Sequence, residues 1–395
     1  MDIKDFKKTL IDESKAIEEL VIDIRRHIHM YPETKFEEEQ TAAFIEAELQ
    51  KIGYETQRTA KTGVIATFKG LKKGKTVALR ADIDALDITE EVNVPFRSKN
   101  EGKMHACGHD AHTAMLLGAA RVIYKYKDHF IGNLKLIFQP GEEGGGGAQK
   151  ITEEGHLDDV DIIFGLHISA KNPSGMIRVK KGPAMASSDS FTLAIKGKGG
   201  HAASPHLTID PIAVSVDIYN AFQKIITREI DPFISAVITI PMLRGSNAYN
   251  VIPSEVTLTG TLRAFDLEIR EYIIKRMKEI VQGYSQAWRC EGQFKLNKIP
   301  YPPLINDGTT VDKIIDIFGD LDTVTAAPAV MGSEDFAFYL QKTQGAFFFL
   351  GTQNEEQDCI YPHHHPRFKI DESVLWKGTA MYSLVGFYYL FSEES

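Results

Sequence analysis

Thr76-Val77-Ala78-Leu79-Arg80-Ala81-Asp82 is a mostly apolar run that ends on a carboxylate. Its length and residue types read as a β-strand. Upstream, Val64-Ile65-Ala66-Thr67-Phe68 reads the same way. Downstream comes the polar cluster Met104-His105-Ala106-Cys107-Gly108-His109-Asp110-Ala111-His112, and then a helix from about His112 to Tyr126. Leu134–Phe138, closed by Gln139-Pro140, and Val160–His167 are further strands. Strands alternating with helices imply an α/β layer built on a largely parallel sheet. Three of these strands end near reactive side chains: Asp82 and Asp84, Glu142 and Glu143, and His167. Open α/β sheets place their sites at the carboxyl ends of strands, so these groups are candidates to converge.

Before this block, Ile17, Leu20, Val21, Ile24 and Ile28 recur at helical spacing, with Ser14 as the expected cap and Pro32 as the stop. A second helix spans about Thr41 to Ile52 and stops at Gly53. Near Gly182 the texture changes. Phe191–Ile195 alternates as a strand, Pro211–Ile226 has helical periodicity, Ala236–Ile240 and Glu255–Leu262 alternate again, and Leu267–Ala287 is helical. That order implies an inserted α+β domain with an antiparallel sheet. The apolar run Ala346–Leu350 and a helix from about Glu372 close the chain. The expected division is therefore 1–182 and 296–395 as one catalytic, metal-binding domain, with 183–295 inserted as a lid and dimerisation domain.

The chain has 395 residues, 43% of them hydrophobic, enough for two domain cores. Acidic residues outnumber basic ones, 54 to 45, for a net charge of -9, which argues against a nucleic-acid partner. Three scattered cysteines are too few for a disulfide framework and fit a reducing compartment. The N-terminal stretch lacks an apolar signal core, and Tyr382–Phe391 is too short to span a bilayer. No membrane partner and a cytoplasmic location are the expectation.

Cys107-Gly108-His109 places a thiol and an imidazole two residues apart, which can face one way on extended backbone. Both ligand types suit zinc, and imidazole suits other first-row divalent ions. An isolated pair of this kind reads more readily as a buried thiol beside a surface histidine. Here His105, Asp110 and His112 crowd the same segment. Glu142 and Glu143 are adjacent on a loop after a strand, so one can hold a metal while the other serves as general base. The glycines around them allow close backbone approach, but no phosphate-loop Gly-Lys-Ser/Thr follows. His167 ends its strand, and Tyr361-Pro362-His363-His364-His365-Pro366 carries three more imidazoles. A His-Glu-x-x-His peptidase helix is absent from the sequence. The inventory matches a hydrolytic site with two metals.

Further stretches carry a resemblance. They are Arg25–His29 with Pro32-Glu33, Leu79–Leu86, Met104–Thr113, Gln139–Gly144, Gly200-His201-Ala202, Asn250–Pro253 and Gly332–Phe336. With them the chain resembles the aminoacylase/carboxypeptidase family of dinuclear metallopeptidases over nearly its whole length. Within that family it is most similar to the amidohydrolase branch with hippurate and auxin-conjugate hydrolases. Phe348–Thr352 and Cys359–Pro362 look like the thermostable archaeal carboxypeptidases.

The resemblance implies two divalent metal ions per subunit, zinc first, with cobalt or manganese as alternatives. Cys107 would bridge them, His109 and His167 would hold one, and Glu143 and His364 the other. Glu142 would be the general base and then the acid for the leaving amine. Asp82 or Asp84 would support the site, Asp82 being the one placed among the catalytic residues. In the inserted domain, His201 would stabilise the oxyanion in a partner subunit's site. Asn250 and Arg263 would bind the substrate's free carboxylate. The implied assembly is a homodimer or homotetramer. The implied reaction is hydrolysis of the amide between an acyl or peptidyl group and a free C-terminal amino acid. A deacylase restricted to small N-acyl amino acids, and a non-catalytic metal sensor, are the alternatives.

Overall fold

The computed structural model describes residues 3–296 and 299–391. The chain divides into two compact units. One comprises Met1–Gly182, Ile305–Pro328 and Asp335–Ser395; the other comprises Pro183–Leu304 and Ala329–Glu334. The second unit thus runs past residue 295 and takes in a short later segment.

The first unit is built on an eight-stranded sheet. At its centre Ile131–Gln139, Lys72–Asp82, Ile162–Pro173 and Gln344–Gln353 lie side by side in that order, every neighbouring pair parallel. Glu55–Thr59 and Gly63–Lys69 extend one side antiparallel, and Ile177–Val179 and Val324–Ala326 extend the other. The register sets the later chemistry. Asp82 pairs with Gln139, and Arg80 pairs with Gly165, which brings His167 level with Asp82. The sheet is thus mostly parallel with helices packed on it, an α/β architecture.

Helix His109–Tyr124 is buried along almost its whole length, which is why its sequence is apolar on every face. It begins at Gly108, in the left-handed region at φ 91°, where an added Cβ would fall 2.2 Å from Ile168 Cδ1. That turn needs glycine, and it starts the helix three residues earlier than periodicity alone suggests. The closing helix Leu375–Phe391 is also buried. Its Tyr382 hydroxyl donates to Arg80 O at 2.6 Å and accepts from Leu166 N at 3.2 Å, pinning two central strands.

The N-terminal region corrects one expectation. Two helices are present, Ile3–Ala16 and Glu18–Met30. Ser14 lies inside the first, and its hydroxyl donates to Leu10 O at 2.7 Å instead of capping the second. A serine can return its hydroxyl to the preceding turn, so the sequence signature of a cap is ambiguous.

The second unit carries an antiparallel sheet in the order Ala236–Arg244, Glu255–Ala264, Asp189–Lys196, Glu291–Leu296. Helices Pro211–Lys224 and Leu267–Trp288 share a hydrophobic core with it. Asp210 and Asp266 cap them, accepting from Ile212 N and Ile269 N, each at 2.9 Å. This core is separate from that of the first unit. Among the described residues no helix is long and apolar enough to cross a membrane.

Candidate metal centre

The carboxyl edge of the parallel sheet gathers the donors. Cys107 and His109 stand at the start of the buried helix, and Glu142 and Glu143 on the loop after Ile131–Gln139. His167 lies midway along its strand, which runs on to Pro173 and does not end at His167 as the sequence suggested. His364 comes from the loop between Gln344–Gln353 and the closing helix. Among the sets of three ligand atoms that lie within 4.8 Å of one another, two share Cys107: Cys107 with His109 and His167, and Cys107 with Glu143 and His364. A further set joins His109 with Glu142 and Glu143, so Glu142 also lies within reach of the donors.

Hydrogen bonds decide which imidazole nitrogens remain available. His167 Nδ1 donates to Ile168 O at 2.6 Å, which leaves the Nε2 lone pair to accept from the Cys107 thiol at 3.5 Å. His109 Nδ1 lies 3.3 Å from Asp84 Oδ1, and its buried Nε2 has no hydrogen-bond partner among the described residues. A buried, unpartnered nitrogen is costly unless something binds it. His364 Nε2 lies 3.0 Å from Glu143 Oε1.

His112 is spent elsewhere. Its Nδ1 is 2.5 Å from Asp82 Oδ1, and its Nε2 accepts from Ile168 N at 2.9 Å. His105 is buried, and burial lowers its pKa to about 3, so it stays neutral. The triple histidine divides just as clearly. His363 Nε2 accepts from Ala170 N at 3.1 Å, and His365 stacks on Tyr361 at 4.7 Å. His364, at φ 65°, donates its own N–H to Ala106 O at 2.8 Å, which ties it to the residue before Cys107.

The two aspartates separate in role. Asp82 accepts from the fully buried Arg80 at 2.8 Å and meets His112; its distance to His109 Nε2 is 3.7 Å. Burial opposes its ionisation, yet His109, Arg80 and His112 hold its carboxyl well below the usual carboxylate range. Asp84 touches the donor set directly. Besides His109 it accepts from Glu142 N at 3.1 Å and Glu143 N at 2.9 Å. Sequence reasoning placed Asp82 first, but the geometry gives Asp84 the closer hold on the ligands.

The charge balance favours cations. Burial, then the neighbouring Glu143, Glu142 and Asp82 carboxylates, push the Cys107 thiol well up. His109 would be lowered by burial, but Asp82 and Asp84 outweigh this and push it up to about 10. Carboxylates that raise the proton affinity of Cys107 and His109 are ones that divalent ions would neutralise. The donors present (thiol, imidazole and carboxylate) fit a pair of such ions.

Sequence reasoning missed Glu38. It lies in Glu37-Glu38-Glu39, which reads as a solvated run, yet Glu38 is fully buried while its neighbours are exposed. Gly141 N donates to its Oε1 at 3.0 Å, and Thr62 Oγ1 to its Oε2 at 2.5 Å. Burial, then nearby Asp84, push its carboxyl up to about 7. The only sequence signal was its place just before a helix, where a side chain has the choice of capping or turning away.

In the second unit, the two-residue strands Gly200–His201 and Val251–Ile252 pair antiparallel, and Ala202 N donates to Asn250 O at 3.0 Å. This sets His201 and Asn250 on neighbouring backbone, both exposed. His201 Nδ1 accepts from Ala203 N at 3.1 Å. Arg263, half-buried on Glu255–Ala264, donates to Ser333 Oγ at 3.3 Å.

An α/β unit that assembles two metal-type donor sets sharing one thiol, with a second glutamate beside them, defines the class: a hydrolase with a metal-site architecture. The comparisons agree. The profile described as Peptidase family M20/M25/M40 matches residues 78–385, and the chain belongs to that family. It is 41% identical to Thermostable carboxypeptidase 1 of Saccharolobus solfataricus, over 96% of this chain and 98% of that one. It is 41% identical to the N-acetyl-L-cysteine deacetylase of Bacillus subtilis, over 94% of this chain and 89% of that one. Among solved structures it superposes with a TM-score of 0.83 on the YXEP protein of Bacillus subtilis, described as a dinuclear metal binding peptidase of the M20 family. That structure shares 35% identity and covers 95% of this chain and 100% of its own. Carboxypeptidases, deacetylases and amidohydrolases thus stand among its relatives, and the chain is an enzyme of this hydrolase family.

Proposed function

We propose that this enzyme hydrolyses the amide joining an acyl or peptidyl group to a free amino acid, and that it does so with two divalent metal ions. The observation that carries the reading is the pair of donor sets sharing Cys107. Cys107, His109 and His167 would hold one ion, and Cys107, Glu143 and His364 the other. Zinc is the first choice for a site of thiol, imidazole and carboxylate, with cobalt or manganese as alternatives. The chemistry such ions supply when bound is Lewis acidity toward a carbonyl and toward water.

Glu142 does the proton work. It belongs to neither ligand set around Cys107, it is buried, and its amide is held by Asp84. Its carboxylate takes a proton from the attacking water and then delivers it to the leaving nitrogen. Asp84 holds His109, so that one imidazole nitrogen faces Asp84 and the other faces the donor set. His201 donates to the oxyanion. Arg263 and Asn250 take the free carboxylate, Arg263 having a hydroxyl partner and no carboxylate partner among the described residues. The His201 role fits a homodimer or homotetramer, and the cytoplasm fits three unpaired thiols.

Relatives of two kinds bear on the substrate, a thermostable carboxypeptidase and an N-acetyl-L-cysteine deacetylase. Parallel assays on a blocked dipeptide and on N-acetyl amino acids decide between them. Dialysis against chelator abolishes turnover, and zinc, cobalt or manganese restores it. An enzyme that keeps its activity after complete metal removal would refute the reading, and one that hydrolyses neither substrate class with any metal would favour a sensor.

A further inference from the structure

The loop that carries Glu142 is held by its backbone. Three consecutive amides each donate to a buried carboxylate: Gly141 N to Glu38, and Glu142 N and Glu143 N to Asp84. Asp84 thereby serves the ligand set as well as the loop. Glu38 serves the loop alone, because it touches none of the ligand side chains.

Glu38 occupies an unusual place for a glutamate. It is the residue at the start of helix Glu39–Ile52, but its side chain makes no capping hydrogen bond there. Glu33 supplies the cap instead, accepting from Thr41 N at 2.8 Å, Thr41 Oγ1 at 2.9 Å and Gln40 N at 3.2 Å. The Glu38 carboxylate is thus released from the helix and turned inward. No cation among the described residues pairs with it, and an unpaired buried carboxylate is costly. The hydrogen bonds from Gly141 and Thr62 offset part of that cost. On its other side Gly141, at φ 63°, packs so closely on Phe36 that a Cβ would fall 2.8 Å from the ring. The turn leading into Glu142 is therefore clasped between the Phe36 ring and the Glu38 carboxylate, two residues apart in one segment.

We propose that Glu38, braced by Thr62, is a positioning residue for Glu142: it holds the Gly141 amide and so sets the turn from which the general base projects. This rests on Glu142 being that base. The inference goes further in giving a segment that contributes no ligand control over the alignment of the proton transfer.

The test compares two variants of equal bulk in the full-length, metal-loaded enzyme. Glu38→Gln keeps a carbonyl to accept from Gly141; Glu38→Met does not. A displaced catalytic group costs up to about 100-fold in rate, so Glu38→Met lowers kcat by roughly 10- to 100-fold. Its KM stays within about two-fold, and its metal content by plasma mass spectrometry is unchanged, because substrate and metal contacts lie elsewhere. Glu38→Gln stays within about three-fold of the wild-type kcat, since the acceptor is retained. A purely structural role would shift melting without dividing kcat from KM. Wild-type kcat in Glu38→Met, equal loss in both variants, or loss of metal from Glu38→Met overturns the proposal. Should Glu38→Met fail to fold, Thr62→Val decides: a smaller kcat loss at constant KM supports the proposal, and no loss overturns it. Glu142→Gln is measured alongside. If it stays active, the base assignment itself falls; if it is inactive while Glu38→Met is not, only the positioning role falls.

Discussion

The donor set of the first unit and the presumptive substrate contacts of the second are held in opposite ways. Around Cys107, His109, Glu142 and His167 the Glu142 amide and one nitrogen of each ring are held by named partners, and the side chains are mostly buried. His201 and Asn250 are exposed on a pair of two-residue strands, and Arg263 has one hydroxyl contact at 3.3 Å. The first arrangement is preorganised; the second has most of its hydrogen-bonding capacity free for a ligand. Preorganisation suits groups that handle protons and metals, where alignment controls rate. Free capacity suits groups that recognise a carboxylate.

The comparison breaks first at Cys107. Cys107→Ala removes the donor common to both sets, so we expect no turnover and metal content falling toward zero. His364→Ala removes a donor from one set and leaves about half the metal, by plasma mass spectrometry. Equal losses in the two variants would contradict a shared thiol.

Glu142→Gln comes next, with kcat reduced by about 10²–10⁴-fold and metal retained. Asp84→Asn follows. A residue that orients a ligating imidazole is worth roughly 10- to 100-fold in metal affinity, measured by chelator competition. Asp82→Asn instead weakens the ion pair with buried Arg80 and shows as lost thermal stability ahead of lost metal affinity.

Arg263→Ala tests the other region. Hydrogen bonds to charged groups are worth about 1.5–3 kcal/mol, so kcat/KM drops through KM while kcat changes little. A drop confined to kcat would place Arg263 with the preorganised groups.

The smallest effect is a pH dependence at Glu38. Its folded pKa, pushed up to about 7 by burial and by Asp84, lies above its unfolded value. The folded state therefore binds this proton more tightly, and the associated stability is present below about pH 4.5 and is lost as pH rises through 7. Glu38→Gln has no such proton, so its melting temperature gains on the wild type across that window. A difference between the two that stays constant with pH would refute the buried ionisation.

Much of this was legible in the sequence because it depends on local pattern. Thr76–Asp82 and Leu134–Phe138 are apolar runs long enough for a strand and too short for a helix. The inserted unit announced itself by alternating strands around two amphipathic helices. Strands of three residues, such as Ile177–Val179 and Val324–Ala326, left no comparable trace. Nor did helix Gly308–Phe318 stand out, although Asp307 caps it by accepting from Thr310 N at 2.7 Å.

At the site, the sequence by itself determined the donor types and their grouping near strand ends, since residue identity sets ligand chemistry and strand period sets which residues emerge together. Residue type alone left the imidazoles of His105–His112 and of His363–His365, and the two aspartates, equivalent, and the resemblance only implied a choice among them. The tertiary structure gave each a different set of partners. His112 is consumed by Asp82 and the Ile168 amide, His363 by the Ala170 amide, and Asp84 lies beneath the loop that bears Glu142. Glu38 belongs wholly to that second category. A glutamate in an acidic run is a surface residue on composition alone, and it becomes a buried brace only because Glu33 caps its helix and Gly141 arrives from 103 residues away with an amide to satisfy.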